Sequence, residues 1–352
     1  MMQTKIRVLI VDDSALVRDI LFRGLSMDSG IEVVGKAADP YQARDLLIKL
    51  KPDVMTLDVE MPRMDGVEFL RKLMPQFPLP VVMVSALTDK GKRVTLEALE
   101  YGAVDFVTKP SSDMARALPV MITDLIRKVK IAARTDVSRY KSRPPGSATP
   151  GVIRPASLEE STDKVIVIGA STGGTEAIRQ VITRFPATMP GVVIVQHMPP
   201  GYTRMYAERM DSLCAMSVSE AKDGDRVMTG KILIAPGGKQ MRVVRRGGIY
   251  QVTCGVGELV SGHCPSVDVV MDSVAQQVGA NAIGVMLTGM GNDGAKGMKA
   301  MRDAGARTMA QDEASCVVFG MPKCAHENGG AERLVSLDTI AQSVIDLLGG
   351  RR

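Results

Sequence analysis

The chain has 352 residues, of which 45% are apolar and 24% are charged, and its formal net charge is +5. This length and composition predict two globular domains, each able to bury a core. Long basic runs and interleaved basic and aromatic residues are missing from the sequence, so the modest positive charge does not indicate a nucleic-acid-binding protein.

The cysteine pattern and the hydropathy of the sequence indicate the cellular compartment in which we expect the protein. The five cysteines are an odd number without a C-x-x-C pair, a pattern that favours reduced thiols and a cytoplasmic protein. Near the N-terminus, Arg7 is followed by only four apolar residues before Asp12, which does not match a signal peptide. No apolar run of the sequence reaches the length of a bilayer span, so we expect no membrane insertion.

Residues 1–130 alternate strand-like and helix-like segments. Apolar, β-branched runs predict strands at 6–11, 31–35, 53–57, 81–84 and 104–107. The segments that follow them predict helices at 14–25, 40–50, 67–73, 90–100 and 113–130. Five β/α units of this length predict a doubly wound parallel sheet.

Polar residues directly follow the predicted strands of this domain: Asp12, Asp13, Asp58, Ser85 and Lys109. The carboxyl ends of parallel strands meet at one edge of a sheet, where ligands bind. Three carboxylates at that edge would repel one another unless a hard cation such as Mg²⁺ lies among them. A carboxylate beside Mg²⁺ can attack a phosphoryl group, and Lys109 and Ser85 would contact the added charge. Taken singly, each of these residues also fits a helix cap or a turn.

Three motifs of this domain resemble those of the response-regulator receiver, a flavodoxin-like domain. They are Val-Asp-Asp-Ser at 11–14, Leu-Asp-Val-Glu-Met-Pro-Arg-Met-Asp-Gly at 57–66 and Phe-Val-Thr-Lys-Pro at 106–110. The resemblance implies that Asp58 accepts a phosphoryl group from a histidine kinase. It also implies Mg²⁺ ligands at Asp13, Asp58 and the main-chain carbonyl of Glu60, with Asp12 acting through water. Phe106 stands at the position of the family's switch aromatic.

A connector is predicted between the two domains, at residues 131–163. This stretch is rich in proline, glycine, serine and basic residues, and it has no hydrophobic periodicity. Such a composition is typical of a solvated, flexible linker.

Residues 164–352 again alternate strands and helices. Strands are predicted at 165–168, 192–195, 282–287 and 308–311, and helices at 175–184, 203–210, 267–278, 294–304 and 338–348. Short strands at 231–235, 241–245 and 248–253, with Gly-Gly turns between them, predict an antiparallel insert. The domain is therefore predicted to be a second doubly wound α/β unit with a small antiparallel insert.

Three candidate catalytic residues follow strands of this second domain: Ser171, His197 and Asp293. A serine hydroxyl is a poor nucleophile at neutral pH, and it needs a base whose tautomer is fixed by an acceptor. The glycines around Asp293 would let backbone N–H groups approach a developing oxyanion. From the residue pattern alone, the Ser171 loop also fits a phosphate cradle or a plain turn, and His197 and Asp293 also fit capping roles.

The other two histidines compete with His197 for a catalytic role. His263 precedes Cys264, which raises the alternative of a Cys–His pair, but adjacent residues of one chain usually point apart. His326 lies in a polar stretch and is predicted to be solvated. The sequence offers these histidines no further ligands at useful spacing, so a histidine-based metal site has little support.

Four motifs of the second domain resemble the chemotaxis protein-glutamate methylesterase family, which joins a receiver to a catalytic domain in this order. They are Ile-Gly-Ala-Ser-Thr-Gly-Gly-Thr-Glu at 168–176, Val-Gln-His-Met-Pro-Pro at 195–200, Gly-His-Cys-Pro-Ser-Val-Asp at 262–268 and Met-Leu-Thr-Gly-Met-Gly-Asn-Asp-Gly at 286–294. The resemblance implies Ser171 as nucleophile, His197 as base and Asp293 as the acid that orients the base. Thr172 and the main-chain N–H of Met290 are implied as contributors around the oxyanion.

The resemblance also implies an activity and its regulation. Glutamyl methyl esters on methyl-accepting chemotaxis receptors would be hydrolysed with release of methanol, and certain receptor glutamines would be deamidated, in chemotactic adaptation. Phosphorylation of Asp58 would activate the enzyme, and the esterase site would use no cofactor. The alternative is a response regulator whose second domain only binds a nucleotide or a phosphate at the Ser171 loop. A Rossmann-type site would want an acidic residue after the next strand, where this chain has Gln196 and His197.

Overall fold

The structure is a computed structural model that describes residues 4–86, 88–110, 114–138 and 163–349. The chain divides into two compact units, Met1–Ala148 and Thr149–Arg352. Most of the predicted linker, residues 139–162, lies outside the described residues. Among the described helices, none is long and apolar enough to cross a bilayer.

The first unit is a parallel sheet whose strands alternate with helices. The strands are β1 (Ile6–Val11), β2 (Ile31–Ala37), β3 (Val54–Asp58), β4 (Val81–Ser85) and β5 (Asp105–Thr108). The helices are α1 (Ala15–Ser26), α2 (Pro40–Leu50), α3 (Gly66–Leu73), α4 (Asp89–Glu100) and α5 (Met114–Ala132). All strand pairs are parallel, in the order β2-β1-β3-β4-β5. This arrangement confirms the predicted doubly wound fold.

Burial and capping explain why these segments form these elements. Every residue of β3 and β4 is buried, as expected for parallel strands covered on both faces. The first helix begins at Ser14, whose hydroxyl accepts the Val17 N–H. Because Ser14 provides this cap, the neighbouring Asp13 is not needed for it.

The second unit contains a seven-stranded parallel sheet and a separate hairpin. The sheet strands are β6 (Val165–Ala170), β7 (Gly191–Gln196), β8 (Ser217–Glu220), β9 (Lys231–Ile234), β12 (Ala282–Met286), β13 (Arg307–Gln311) and β14 (Arg333–Val335). The hairpin is formed by β10 (Gln240–Arg246) and β11 (Ile249–Gly255), and the sheet order is β14-β13-β12-β6-β7-β9-β8. The helices are α6 (Gly174–Ile182), α7 (Tyr202–Asp211), α8 (Val267–Gln277), α9 (Ala295–Asp303), α10 (Met321–Glu327) and α11 (Leu337–Leu348).

One hydrophobic core of this unit joins the sheet to the hairpin and to helices α8 and α9. It includes several fully buried methionines: Met241, Met271, Met286, Met298, Met301 and Met321. Methionine is unbranched and flexible, so it fills irregular gaps between helices and a sheet. The high methionine content therefore has a packing explanation.

One predicted strand belongs to a different sheet. Residues 231–235 were expected in the antiparallel insert, but β9 lies between β7 and β8 and pairs in parallel with both. That part of the prediction is wrong. Ile232, Leu233 and Ile234 are all buried, and consecutive buried residues are typical of a parallel strand covered on both faces. The sequence patterns also do not predict β8, α10 and β14, which have four, seven and three residues.

Candidate functional site

The acidic residues of the first unit converge at the carboxyl edge of its sheet. β1 and β3 pair up to the last residue of β1 and the penultimate residue of β3, which brings Asp12 beside Asp58. One carboxylate oxygen from each of Asp12, Asp13 and Asp58 lies within 4.8 Å of the others. The Lys109 ammonium lies 2.8 Å from Asp12 Oδ2 and 2.8 Å from Asp58 Oδ2. Four of the polar residues predicted at this edge therefore come together.

Burial dominates the electrostatics of Asp58. Its desolvation, reinforced by the nearby Asp12 and partly offset by Lys109, raises the pKa of this carboxyl to about 6. Burial opposes the charge on Lys109 as well, but the two carboxylates outweigh it and raise the pKa of the ammonium above its ordinary value. The Glu60 backbone N–H donates to Asp58. The three carboxylates of Asp12, Asp13 and Asp58 carry more negative charge than the Lys109 ammonium offsets. Hard carboxylate oxygens with such an excess of negative charge are a donor set that fits Mg²⁺.

Ser85 is the last residue of β4, and Phe106 lies in the neighbouring strand β5. The Ser85 hydroxyl accepts from Thr95 Oγ1 at 2.7 Å and donates toward the Gly91 carbonyl at 3.3 Å. A contact with a phosphoryl group would require this hydroxyl to change partners, and the role stays a prediction. Phe106 is 4% exposed, with the Lys128 ammonium 5.2 Å from its ring centroid. Its ring is therefore inside the unit in this structure.

Three loops of the second unit meet at the carboxyl edge of its sheet. The last residues of β6 and β7 are paired, so Ser171 and His197 are each the first residue beyond a paired strand end. The Ser171 N–H donates to the Thr288 carbonyl at 3.0 Å, and Thr288 lies in the loop after β12. The same loop carries Asp293. The topology thus brings together the three residues predicted as nucleophile, base and acid.

The two ring nitrogens of His197 have different surroundings. Its Nε2 lies 2.7 Å from Asp293 Oδ2, while its buried Nδ1 has no hydrogen-bond partner among the described residues. An ionised carboxylate only accepts, so Nε2 carries the proton and Nδ1 the lone pair. Nδ1 is therefore the ring nitrogen that is able to accept a proton. In trypsin-like triads the two nitrogens have the opposite roles, with Nδ1 facing the acid.

Asp293 is buried and is held as a carboxylate by hydrogen-bond donors. Its Oδ1 accepts from the Ser266 hydroxyl at 2.7 Å and from the Asp268 N–H at 3.2 Å. Its Oδ2 accepts from the Val267 N–H at 2.8 Å in addition to His197. Burial alone would raise the pKa of Asp293, but the bond and charge of His197, with the other donors, outweigh it and lower the pKa. Ser266, Val267 and Asp268 lie at the N-terminus of α8, whose dipole also favours a negative charge.

Gln196 contacts the serine loop, a role that the motifs do not reveal. It is 3% exposed, and its Nε2 donates to the Ser171 carbonyl at 2.8 Å. A Cβ atom at Gly174 would lie 2.1 Å from the Gln196 side-chain oxygen, so only glycine leaves room for this contact. The available signal was a polar residue that ends a buried strand directly before His197. Gly289 is similarly close, because a Cβ there would lie 2.8 Å from Ser171 Cβ.

Of the two predicted oxyanion contributors, Thr172 directly follows Ser171 in the chain, and Met290 lies in the loop after β12. The backbone N–H of Met290 makes no hydrogen bond within the described part of the chain, and it follows Gly289, which lies against Ser171. An available N–H in this position can stabilise an oxyanion. Thr172 is buried, and its carbonyl accepts from the Thr288 hydroxyl at 3.0 Å. The oxyanion roles of both residues stay predictions.

The structure brings His263 into the site and leaves His326 outside it. The imidazoles of His263 and His197 are stacked, with ring centroids 3.6 Å apart and planes 8° from parallel. Sequence reasoning missed this contact because His263 follows no strand. Burial raises the pKa of the adjacent Cys264 thiol, which disfavours the reactive thiolate of a Cys–His pair. His326 is exposed on α10, as predicted.

Comparison with known proteins places both units in described families. The CheB methylesterase family model matches residues 166–344, and the response regulator receiver domain model matches residues 8–118. A relative from Syntrophotalea carbinolica, named protein-glutamate methylesterase/protein-glutamine glutaminase, is 66% identical over 352 residues that cover 100% of both chains. A relative of the same name, numbered 2, from Syntrophomonas wolfei is 54% identical over 98% of each chain.

A solved structure agrees with the second unit. The Thermotoga maritima CheB methylesterase catalytic domain matches with a TM-score of 0.52 at 37% identity, over 53% of this chain and 99% of that one. These comparisons support a catalytic second domain, and they give no support to the alternative of an output domain that only binds a nucleotide or phosphate.

Proposed function

Since the chain belongs to the protein-glutamate methylesterase/protein-glutamine glutaminase family, we propose that it hydrolyses glutamyl methyl esters on methyl-accepting chemotaxis receptors and deamidates certain receptor glutamines. The observation that carries the proposed site is the pair of contacts made by His197. Its Nε2 faces Asp293 at 2.7 Å, and its buried Nδ1 is without a partner among the described residues. A base in this state can activate the serine one residue beyond the neighbouring strand.

In the first step, Ser171 Oγ attacks the ester carbonyl carbon and gives its proton to His197 Nδ1. The carbonyl π electrons move to oxygen, and the resulting oxyanion is stabilised by backbone N–H groups, with Met290 as the main candidate. Asp293 stabilises the imidazolium that forms, because it is held ionised beside Nε2.

In the second step, His197 Nδ1–H protonates the leaving oxygen, and the carbon–oxygen bond breaks to release methanol. The glutamyl group is now esterified to Ser171. A water molecule then gives a proton to Nδ1 and attacks the acyl carbon, and His197 returns the proton to Ser171 Oγ as glutamate leaves. A glutamine amide would follow the same route with ammonia as the leaving group, since both reactions pass through a tetrahedral oxyanion.

The first unit supports control by a histidine kinase that phosphorylates Asp58. Asp13, Asp58 and the Glu60 carbonyl would hold Mg²⁺, with Asp12 acting through water. When bound, Mg²⁺ supplies positive charge for the phosphoryl oxygens. Lys109, already 2.8 Å from Asp58, would pair with the added charge. We propose a receiver at residues 1–130, a linker at 131–163 and a catalytic domain at 164–352.

The decisive experiment is methanol release from purified methylated receptor, with and without a small-molecule phosphodonor. Ser171→Ala should lower kcat by on the order of 10⁶-fold, because the nucleophile is lost, while Asp58 phosphorylation continues. Ser212→Ala is a matched control, since its hydroxyl donates only to the Arg209 carbonyl at the end of α7. Near-normal activity of Ser171→Ala would contradict the serine mechanism. A rate that does not respond to the phosphodonor would contradict the proposed control.

A further inference from the structure

His263 lies between β11 and α8, and its ring covers one face of the proposed base. The centroids of the His263 and His197 rings are 3.6 Å apart, and the planes differ by 8°. The edge of His197 is held by Asp293 at 2.7 Å, but one hydrogen bond leaves a ring free to tilt about that contact. A flat ring stacked on its face restricts this tilt.

Backbone and side-chain contacts hold His263 in place. Its N–H donates to the Val260 carbonyl at 2.9 Å, and its carbonyl accepts the Val260 N–H at 3.0 Å. Gln240 donates from Nε2 to the His263 carbonyl at 3.1 Å and accepts the Ser266 N–H at Oε1 at 2.9 Å. The Ser266 hydroxyl in turn donates to Asp293 at 2.7 Å. The buried Gln240 amide therefore contacts the backbone of His263 and also the backbone of Ser266, whose hydroxyl donates to Asp293.

We propose that His263 is a positioning residue, whose ring face holds the plane of His197 in which Nδ1 points toward Ser171. This inference rests on the proposed function of His197 as the base. It assigns the effect to the aromatic face of His263 and not to its ring nitrogens. A phenylalanine at this position should therefore preserve the effect, because its ring is also flat. Alanine should abolish it, because nothing then restrains the tilt.

The test compares His263→Ala, His263→Phe and His263→Gln in the full-length, phosphorylated enzyme. Loss of the ring face in the alanine variant should lower kcat about 10- to 100-fold with little change in KM, since an ångström of misplacement can cost about 10²-fold. The phenylalanine variant should recover most of the kcat. Glutamine, which has a similar length and no ring, should resemble alanine and covers the case in which alanine fails to fold. His326→Ala is the matched control, an exposed histidine expected to have no effect.

Nuclear magnetic resonance gives a readout that does not depend on activity. The chain has three histidines, so the variants assign each imidazole by difference. Ring currents should shift the His197 ring protons upfield in the wild type and in His263→Phe, and the shift should disappear in His263→Ala.

Two kinetic results would overturn the proposal. They are full activity of His263→Ala, and a phenylalanine variant as slow as alanine, which would indicate a required ring nitrogen. If Ser171→Ala keeps its activity while the ring-current shift is present, the proposed function fails and the stacking does not.

Discussion

Asparagine in place of Asp293 tests how the acid fixes His197. An amide has one accepting oxygen and an NH₂ group that only donates. If the NH₂ occupies the Oδ2 position, it meets the Val267 N–H at 2.8 Å and forces His197 Nε2 to accept. If it occupies the Oδ1 position, the Ser266 hydroxyl can turn to accept, and only the Asp268 N–H, at 3.2 Å, loses its partner. The second orientation loses fewer hydrogen bonds, so we expect the amide of Asp293→Asn to adopt it.

The preferred orientation predicts a moderate loss of activity. The amide oxygen still accepts from His197 Nε2–H, so the tautomer is kept, but the imidazolium loses its negative partner. Hydrogen bonds to charged groups contribute about 1.5–3 kcal/mol, which corresponds to about 10- to 150-fold in kcat. A base in the wrong tautomer loses about 10⁴-fold. Asp293→Ala, which leaves the tautomer unfixed, should approach that larger loss.

Initial rates of methanol release at saturating methylated receptor measure both variants. Asp303→Asn is the control, because Asp303 makes an exposed ion pair with Lys299 at the end of α9. Thermal unfolding of each variant separates lost activity from lost structure. If Asp293→Asn is as slow as Asp293→Ala, the argument about amide orientation is refuted. If Asp293→Ala keeps its activity, Asp293 does not orient the base.

Two other substitutions test the carboxyl edges of the sheets. Burial raises the pKa of Asp58 from 3.8 to about 6. The metal-free fold therefore loses stability as the pH rises from about 4 to about 6, where the unfolded chain ionises first, and the loss is complete above that range. In EDTA, Asp58→Asn should therefore be more stable by about 1–3 kcal/mol near pH 7 and show no advantage near pH 4; a pH-independent difference in Tm would contradict this. In Gly174→Ala, the new Cβ would lie 2.1 Å from the Gln196 oxygen, so we expect a loss of about 1–3 kcal/mol in denaturant unfolding and slower methanol release as Ser171 loses its support. Gly255→Ala, where a Cβ meets nothing within 4 Å, is the control, and equal stability of these two variants would refute the packing argument.

The positions of the candidate residues were predictable because one rule governs both sheets. Apolar runs predict parallel strands, and parallel strands deliver their following residues to one edge. Asp58 is the last residue of its strand, and Asp12, Ser171 and His197 each directly follow one. Turn chemistry at strand ends is local in sequence, so it can be recognised without knowing how the chain folds.

The supporting contacts were not predictable because they join segments far apart in the chain. His263 stacks on His197 from the loop after the hairpin strand β11, which is not a strand of the seven-stranded sheet. In the sequence, Gln196 indicates only that the acidic residue of a Rossmann-type site is missing, yet its amide donates to the Ser171 carbonyl at 2.8 Å. The strand at Lys231–Ile234 was misassigned because its apolar run is short and lies directly before the hairpin. Periodicity identifies such a strand but does not say which neighbour it pairs with.

A comparison of Asp58 with Asp293 shows how the surroundings of a buried carboxylate decide its chemistry. Burial raises the pKa of both, and it prevails at Asp58, where another carboxylate adds to it and the value is about 6. At Asp293 the α8 N-terminus, the Ser266 hydroxyl and His197 supply donors to both oxygens, and the pKa falls instead. The first site therefore still attracts positive charge, which Lys109 supplies and the proposed Mg²⁺ would add to. At the second site, fixed hydrogen-bond donors stabilise the carboxylate, so Asp293 keeps its negative charge beside the imidazole that becomes positive in the proposed mechanism.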